Sequence, residues 1–184
     1  MKKFKTLILL SGILISSVSF ARFGGDGVLL DVNLYYVLAK SETKLAGQGT
    51  QQSSDLQSTI YDLKLGYIFP ISWYVGIIHS SRSDSLLYHY DSYGSSDGIS
   101  VGYMSYTGPY FMVHYLYQSN RGEYSRGTGV QIDVGCKFEA NDHWVFGLEM
   151  SQRNLTYQKS DTNASLDYYK VAEVFPMASI GYLF

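Results

Sequence analysis

The chain predicts an all-β fold, an eight-stranded antiparallel up-and-down transmembrane β-barrel, on three observations. Eight segments alternate apolar with less apolar residues at the period of two that a strand imposes. The connections between them alternate strictly between short and long. The composition, with 18 Tyr, 18 Gly, 3 Pro and only 16% charged residues, suits strands rich in interfacial aromatics and argues against helical or disordered classes. No stretch of 22–184 is long and apolar enough for a membrane helix. Hydropathy alone would read it as soluble, as expected when lipid-facing residues occupy every second position.

The N-terminus reads as a cleaved leader. Met1 to Lys5 carries three lysines, Leu7 to Val18 is an apolar core broken only by small polar residues, and Ser19-Phe20-Ala21 supplies small residues where signal peptidase inspects. An uncleaved anchor would need about 20 apolar residues, more than this run offers. The expected division is a signal peptide over 1–21 and a barrel domain over 22–184. Loss of Lys2, Lys3 and Lys5 with the leader takes 14 basic residues down to 11 against 16 acidic ones. That balance gives no reason to expect nucleic acid as a partner. A single cysteine excludes an intrachain disulfide. Cys136, in the row Val130, Ile132, Val134, Cys136, Phe138, reads as a small apolar residue facing lipid.

Taken in order, the first strand runs from about Val28 to Leu38, with Leu30, Val32, Leu34, Tyr36 and Leu38 opposite Asp31, Asn33 and Tyr35. The second, about Thr59 to Phe69, sets Tyr61, Leu63, Leu65, Tyr67 and Phe69 against Asp62, Lys64 and Gly66. The third, about Trp73 to Arg82, sets Trp73, Val75 and Ile77 against Tyr74, Gly76, Ile78 and Ser80. The fourth, about Gly98 to Tyr106, opposes Ile99, Val101 and Tyr103 to Ser100, Gly102 and Met104. The fifth, about Tyr110 to Gln118, opposes Phe111, Val113, Tyr115 and Tyr117 to Met112, His114 and Gln118. The sixth, Gly129 to Phe138, carries Gln131, Asp133, Gly135 and Lys137 opposite its apolar row. The seventh, His143 to about Arg153, sets Trp144, Phe146, Leu148 and Met150 against Gly147, Glu149, Ser151 and Arg153; the eighth ends at Phe184.

Pro70-Ile71-Ser72, Thr107-Gly108-Pro109 and Glu139 to Asp142 are tight turns. About Lys40 to Ser58, Ser83 to Asp97, Ser119 to Thr128 and Asn154 to Leu166 read as long polar loops. Short periplasmic turns and longer external loops are the pattern of an up-and-down membrane barrel with both termini on the short-turn side. Aromatics near the short turns (among them Tyr103, Tyr110, Phe111 and Trp144) and near the long loops (among them Tyr36, Tyr115 and Tyr157) predict two interfacial girdles. The rival is a soluble lipocalin-like barrel, which is apolar inside. Here the less apolar face carries Asp31, Asp62, Lys64, Asp133, Lys137, Glu149, Arg153 and Glu173, charges that belong in a closed interior and not in lipid.

The last strand narrows the class. Ala178, Ile180, Tyr182 and Phe184 line one face and end on an aromatic, which resembles the C-terminal signature of Gram-negative outer-membrane β-barrels, read by their assembly machinery. Over 22–184 the chain resembles the small OmpX/OmpA-type and OmpW-type barrels by pattern. The resemblance implies location in the cell outer membrane, a monomer, and lipids, lipopolysaccharide and the assembly machinery as partners.

For function, the primary expectation is a non-enzymatic barrel with a structural or surface-interaction role, its lumen plugged by the eight charged residues named above. Tyr88, His89, Tyr90 and Tyr93 are candidate external contacts, or else cross-strand pairs of a β-ribbon extending strands three and four. The alternative is a narrow, porin-like channel for small solutes, hydrophobic ones included. The third reading is a lipid A-modifying enzyme. His79 and Ser81 share a face near the outer rim and resemble the His-x-Ser pair of lipid A 3-O-deacylases, but the asparagine following the serine in that family is absent and the pair lies in the third strand, not near the C-terminus. The histidines are scattered, so neither a metal site nor a cofactor is expected.

Overall fold

The computed structural model describes residues 26–44, 50–86, 89–162 and 167–184, so the expected leader lies outside the described residues. Eight strands, β1 (Gly27–Lys44), β2 (Thr50–Ile68), β3 (Trp73–Leu86), β4 (His89–Met104), β5 (Pro109–Arg121), β6 (Tyr124–Glu139), β7 (Trp144–Ser160) and β8 (Tyr169–Leu183), follow one another in space and close into a barrel. Every pairing is antiparallel, including β1 with β8.

The register turns alternation into two surfaces. Val32, Leu34, Leu63, Leu65, Val75, Ile77, Ile99, Val101, Val134, Leu148 and Ile180 face outward, while Asp31, Asn33, Asp62, Lys64, Ser100, Asp133, Glu149 and Ser151 are buried inside. Cys136 lies on the outward row. This polarity is the reverse of a lipocalin and is that of a small outer-membrane barrel.

The tight turns close by local chemistry. Phe69 N–H donates to Trp73 O (2.7 Å) and Ser72 N–H to Phe69 O (2.8 Å), which holds Ser72 at φ 67°. Gly108, at φ 106°, closes the next turn by donating to Ser105 O (3.0 Å). In the third, Asn141 Oδ1 accepts from His143 N–H (3.0 Å) and Trp144 N–H (2.8 Å), an Asx-type turn. Around them runs the lower girdle: Tyr67 on Phe69, Trp73 on Tyr103, and Phe184 on Tyr182, which packs in turn on Trp144.

The expected long loops are corrected by the structure. Strands reach 19 residues in β2, although about 9–11 suffice to cross a bilayer. Much of 40–58, 83–97, 119–128 and 154–166 is strand, paired as in Arg82↔Gly94 and Asp84↔Ser92. Such a ribbon is wet on its outer side and needs no apolar row, so Ser, Asp and Gln can build it without leaving an alternation to read. Register shifts concentrate in this outer half, between Asp84 and Leu86, Asp97 and Gly98, and Leu116 and Ser119 among others. The shift at Leu116 also turns Gln118 outward, against the expected inward placement, and brings Ser119 inside.

Candidate functional site

The lumen is built in levels. At the short-turn end Leu29, Ile68, Tyr74, Met104, Tyr110, Met112, Val145 and Leu183 pack into an apolar floor inside the barrel. The Tyr74 ring lies across β2 and β3 where both strands carry glycine: a Cβ at Gly66 would sit 2.5 Å from the ring, and one at Gly76 2.5 Å from its hydroxyl.

Above the floor, Lys137 on β6 donates to Asp31 on β1 (2.6 Å) and to Ser179 on β8 (3.0 Å), and Asn33 donates to Asp31 (3.2 Å). Next, Lys64 on β2 crosses the lumen to Asp133 on β6 (2.5 Å) and to Glu149 on β7 (2.9 and 3.0 Å). Asp133 also accepts from His114 Nε2 (2.7 Å), whose Nδ1 lies 2.6 Å from Ser100 Oγ. Glu149 also accepts from Ser151 (3.3 Å) and from the Tyr110 hydroxyl. A third level joins Arg153 to Asp62 (3.0 Å) and to Gln131 (2.7 Å), with Gln131 donating onward to Asp62 (2.8 Å) and Asp133 (3.0 Å).

The fourth level, at the mouth, is a ring of four. Arg82 donates to Asp84 (2.6 Å) and to Glu173 (2.5 Å), and Arg121 donates to the same two acids (3.1 and 2.9 Å). Among the described residues, therefore, five cations (Lys64, Arg82, Arg121, Lys137, Arg153) meet six carboxylates (Asp31, Asp62, Asp84, Asp133, Glu149, Glu173) inside one barrel, with His114 beside the most crowded acid.

All eight lumen charges named from sequence point inward, seven of them buried and Glu173 half-buried. The structure adds three that sequence reasoning missed: Arg82 stood at the end of its predicted strand, and Asp84 and Arg121 lay in predicted loops. Two aromatics expected in the girdles are corrected. Tyr110 and Tyr157 are lumen residues, 4% and 1% exposed, because each falls on the inward register of its strand. Tyr110 caps Glu149, and Tyr157 packs with Ile78, Leu116 and Leu155 below the mouth.

The remaining candidates sit apart from the lumen. Ala178, Ile180 and Phe184 face outward and Tyr182 packs between its aromatic neighbours. Tyr88 lies outside the described residues; His89 and Tyr90 begin β4, and Tyr93 is exposed opposite Ser83. The β3–β4 pairing makes this segment a ribbon. His79, half-exposed on the outer wall, donates from Nδ1 to Asp97 across the strand pair (2.7 Å), with Ser81 two residues along β3. No group of His, Cys, Asp and Glu suited to a metal ion occurs among the described residues.

The barrel wall has one weak seam. β1 and β8 pair only from Leu29↔Leu183 to Leu34↔Ala178, whereas β1 and β2 pair from Gly27↔Ile68 to Lys44↔Thr50. The ladder stops two residues short of Pro176, which has no N–H to donate. Beside the gap lies a cavity of about 270 Å³ lined by Tyr35, Val37, Ile60, Val174 and Phe175 and by the polar Ser58, Arg82 and Glu173.

No family model matches the chain, and no curated protein matches it. Among solved structures, it is similar to the outer membrane protein OprG from Pseudomonas aeruginosa, at 16% identity and a TM-score of 0.47 over 89% of this chain and 98% of that one. It is also similar to the outer membrane protein AlkL solved in DMPC lipid bilayers (12% identity, TM-score 0.43, 87% and 90% covered). A third similar structure is OmpT of Vibrio cholerae (14% identity, TM-score 0.37), where the match takes in 87% of this chain and 53% of that one.

Proposed function

We propose that the protein is a sealed outer-membrane barrel that acts as an envelope and surface element and not as a through-going pore. The observation that carries this is Lys64, 1% exposed, spanning the lumen from β2 to carboxylates on β6 and β7. Charged levels above and below it and the apolar floor support a filled lumen, as expected for eight strands whose interior side chains can fill. The test is conductance in planar bilayers. No steady current is expected from the purified protein; a stable ion-selective current altered in Lys64→Ala would overturn the reading.

The seam favours a second reading. A cavity whose apolar side, Tyr35, Val37, Ile60, Val174 and Phe175, meets the outer wall beside an unzipped strand pair suits an apolar solute passing sideways into the outer leaflet, above the floor. Continuing the β1–β8 register past Leu34↔Ala178 would set Tyr36 opposite Pro176, so a Tyr36→Cys/Pro176→Cys pair locks the seam by oxidation when the two strands come within disulfide reach. Uptake of an apolar probe by proteoliposomes that falls on oxidation and returns on reduction would support this path; uptake indifferent to the lock would remove it.

A further inference from the structure

The outer half of the β5–β6 pair departs from regular pairing twice. Leu116 pairs with Gly129, Ser119 with Gly127 and Arg121 with Tyr124, so Tyr117 and Gln118 stand against Thr128 alone, and Asn120 stands against Ser125 and Arg126. On the other side of β6, Ser125 pairs with Lys159 and Gly127 with Tyr157, which sets Arg126 at the level of Gln158. Two bulges in succession bow the strands. They leave a groove of about 500 Å³ lined by Tyr117, Gln118, Asn120, Arg126, Thr128 and Gln158.

Three features point to a ligand. Arg126 is the only charged residue lining the groove, no carboxylate lines it, and among the described residues its guanidinium has neither an ion pair nor a hydrogen bond. Arginine there holds φ at 55°, a left-handed backbone that an ordinary side chain rarely adopts, and such outliers gather at functional sites. The side chains of Gln118, Thr128 and Gln158 likewise have no protein partner among the described residues, so their donors and acceptors are open to a ligand in the groove. The height is informative too. Tyr117 ends the outward apolar row Phe111, Val113, Tyr115, and an aromatic ring in that place marks the headgroup level.

We propose that this groove binds the phosphorylated sugar headgroup of an outer-leaflet glycolipid. The Arg126 guanidinium forks onto a phosphate, Gln118, Thr128 and Gln158 take sugar hydroxyls, and the Tyr117 ring packs where the headgroup meets the acyl chains. This rests on the outer-membrane orientation proposed above, with the tight turns inside.

Native mass spectrometry of the mature protein in detergent micelles tests the site without reference to where the protein resides, which fractionation reads separately. The probe is bis-phosphorylated lipid A. Arg126→Gly removes the cation and relieves the left-handed backbone, so its heat stability should match or exceed that of the parent. Its affinity for the probe should fall about tenfold or more, and Arg126→Lys should lie between. Lipid A stripped of phosphate should bind the parent as weakly as the intact probe binds Arg126→Gly. Millimolar inorganic phosphate should not displace the lipid; full displacement would assign the groove to free phosphate and overturn the glycolipid. Unchanged affinity in Arg126→Gly, or equal binding of the two lipids, would overturn the site altogether.

Discussion

Replacing Lys64 with methionine removes one charge while keeping most of the side chain's length and volume, so the loss of stability reports electrostatics and not a cavity. In the parent, Nζ lies 2.5 Å from Asp133 and 2.9 Å from Glu149, all three side chains being 1% exposed or less. Breaking such a buried pair costs about 3–5 kcal/mol, because the partner is left buried and unpaired. Two acids are stranded here, but Asp133 keeps His114 and Glu149 keeps Ser151 and Tyr110. That residual solvation places the expected loss at about 3 kcal/mol. Urea unfolding in lipid vesicles, followed by the fluorescence of Trp73 and Trp144, measures it. Glu149→Gln added to Lys64→Met should recover about 1–2 kcal/mol, since one stranded charge is gone. A Lys64→Met barrel within about 0.5 kcal/mol of the parent, the range of an ordinary surface change, would refute the claim that Lys64 holds the lumen charges together.

Deleting Phe184, whose ring packs 4.8 Å from Tyr182 at the closing strand, should sharply reduce membrane insertion; normal yield in an outer-membrane preparation would refute its role as an assembly element. Ser72→Gly should stabilise by about 1 kcal/mol by relieving a left-handed serine, read as a raised unfolding midpoint. Gly66→Ala should cost about 1–3 kcal/mol, since the new methyl would meet Tyr74 and the Val75 carbonyl at 2.5 Å, and an unchanged midpoint would mean that Tyr74 does not seal the floor. Overexpression should leave the mass of lipid A unchanged. Loss of one acyl chain that vanishes in Ser81→Ala would instead make His79, oriented by Asp97, a catalytic base.

The membrane-crossing halves of the strands were legible because lipid on one side and buried charge on the other force strict alternation, as in Leu63, Lys64, Leu65. The same force exposed Asp31, Lys64, Asp133 and Lys137 as interior residues before any pairing was known. Which acid meets which base was not legible, since Lys64 and Glu149 are 85 residues apart and only closure of the barrel brings them together. The outer halves were hidden for the opposite reason. With water on the outer wall and at the mouth, Asp84 and Arg121 sit among Ser, Tyr and Asn with no apolar row to betray the strand. Tyr110 and Tyr157 misled because tyrosine near a strand end suits both a girdle and a hydrogen-bonded lumen, and only exact register separates the two. The unzipped seam left one trace, Pro176 interrupting an otherwise regular closing strand.

The inverted polarity of the barrel is tested most directly by membrane fractionation combined with electrophoresis of heated and unheated samples. A closed barrel with an apolar exterior should be recovered with the outer membrane and should migrate differently until boiled, because its strands resist detergent while cold. Recovery in the soluble periplasm with heat-independent migration would contradict the account.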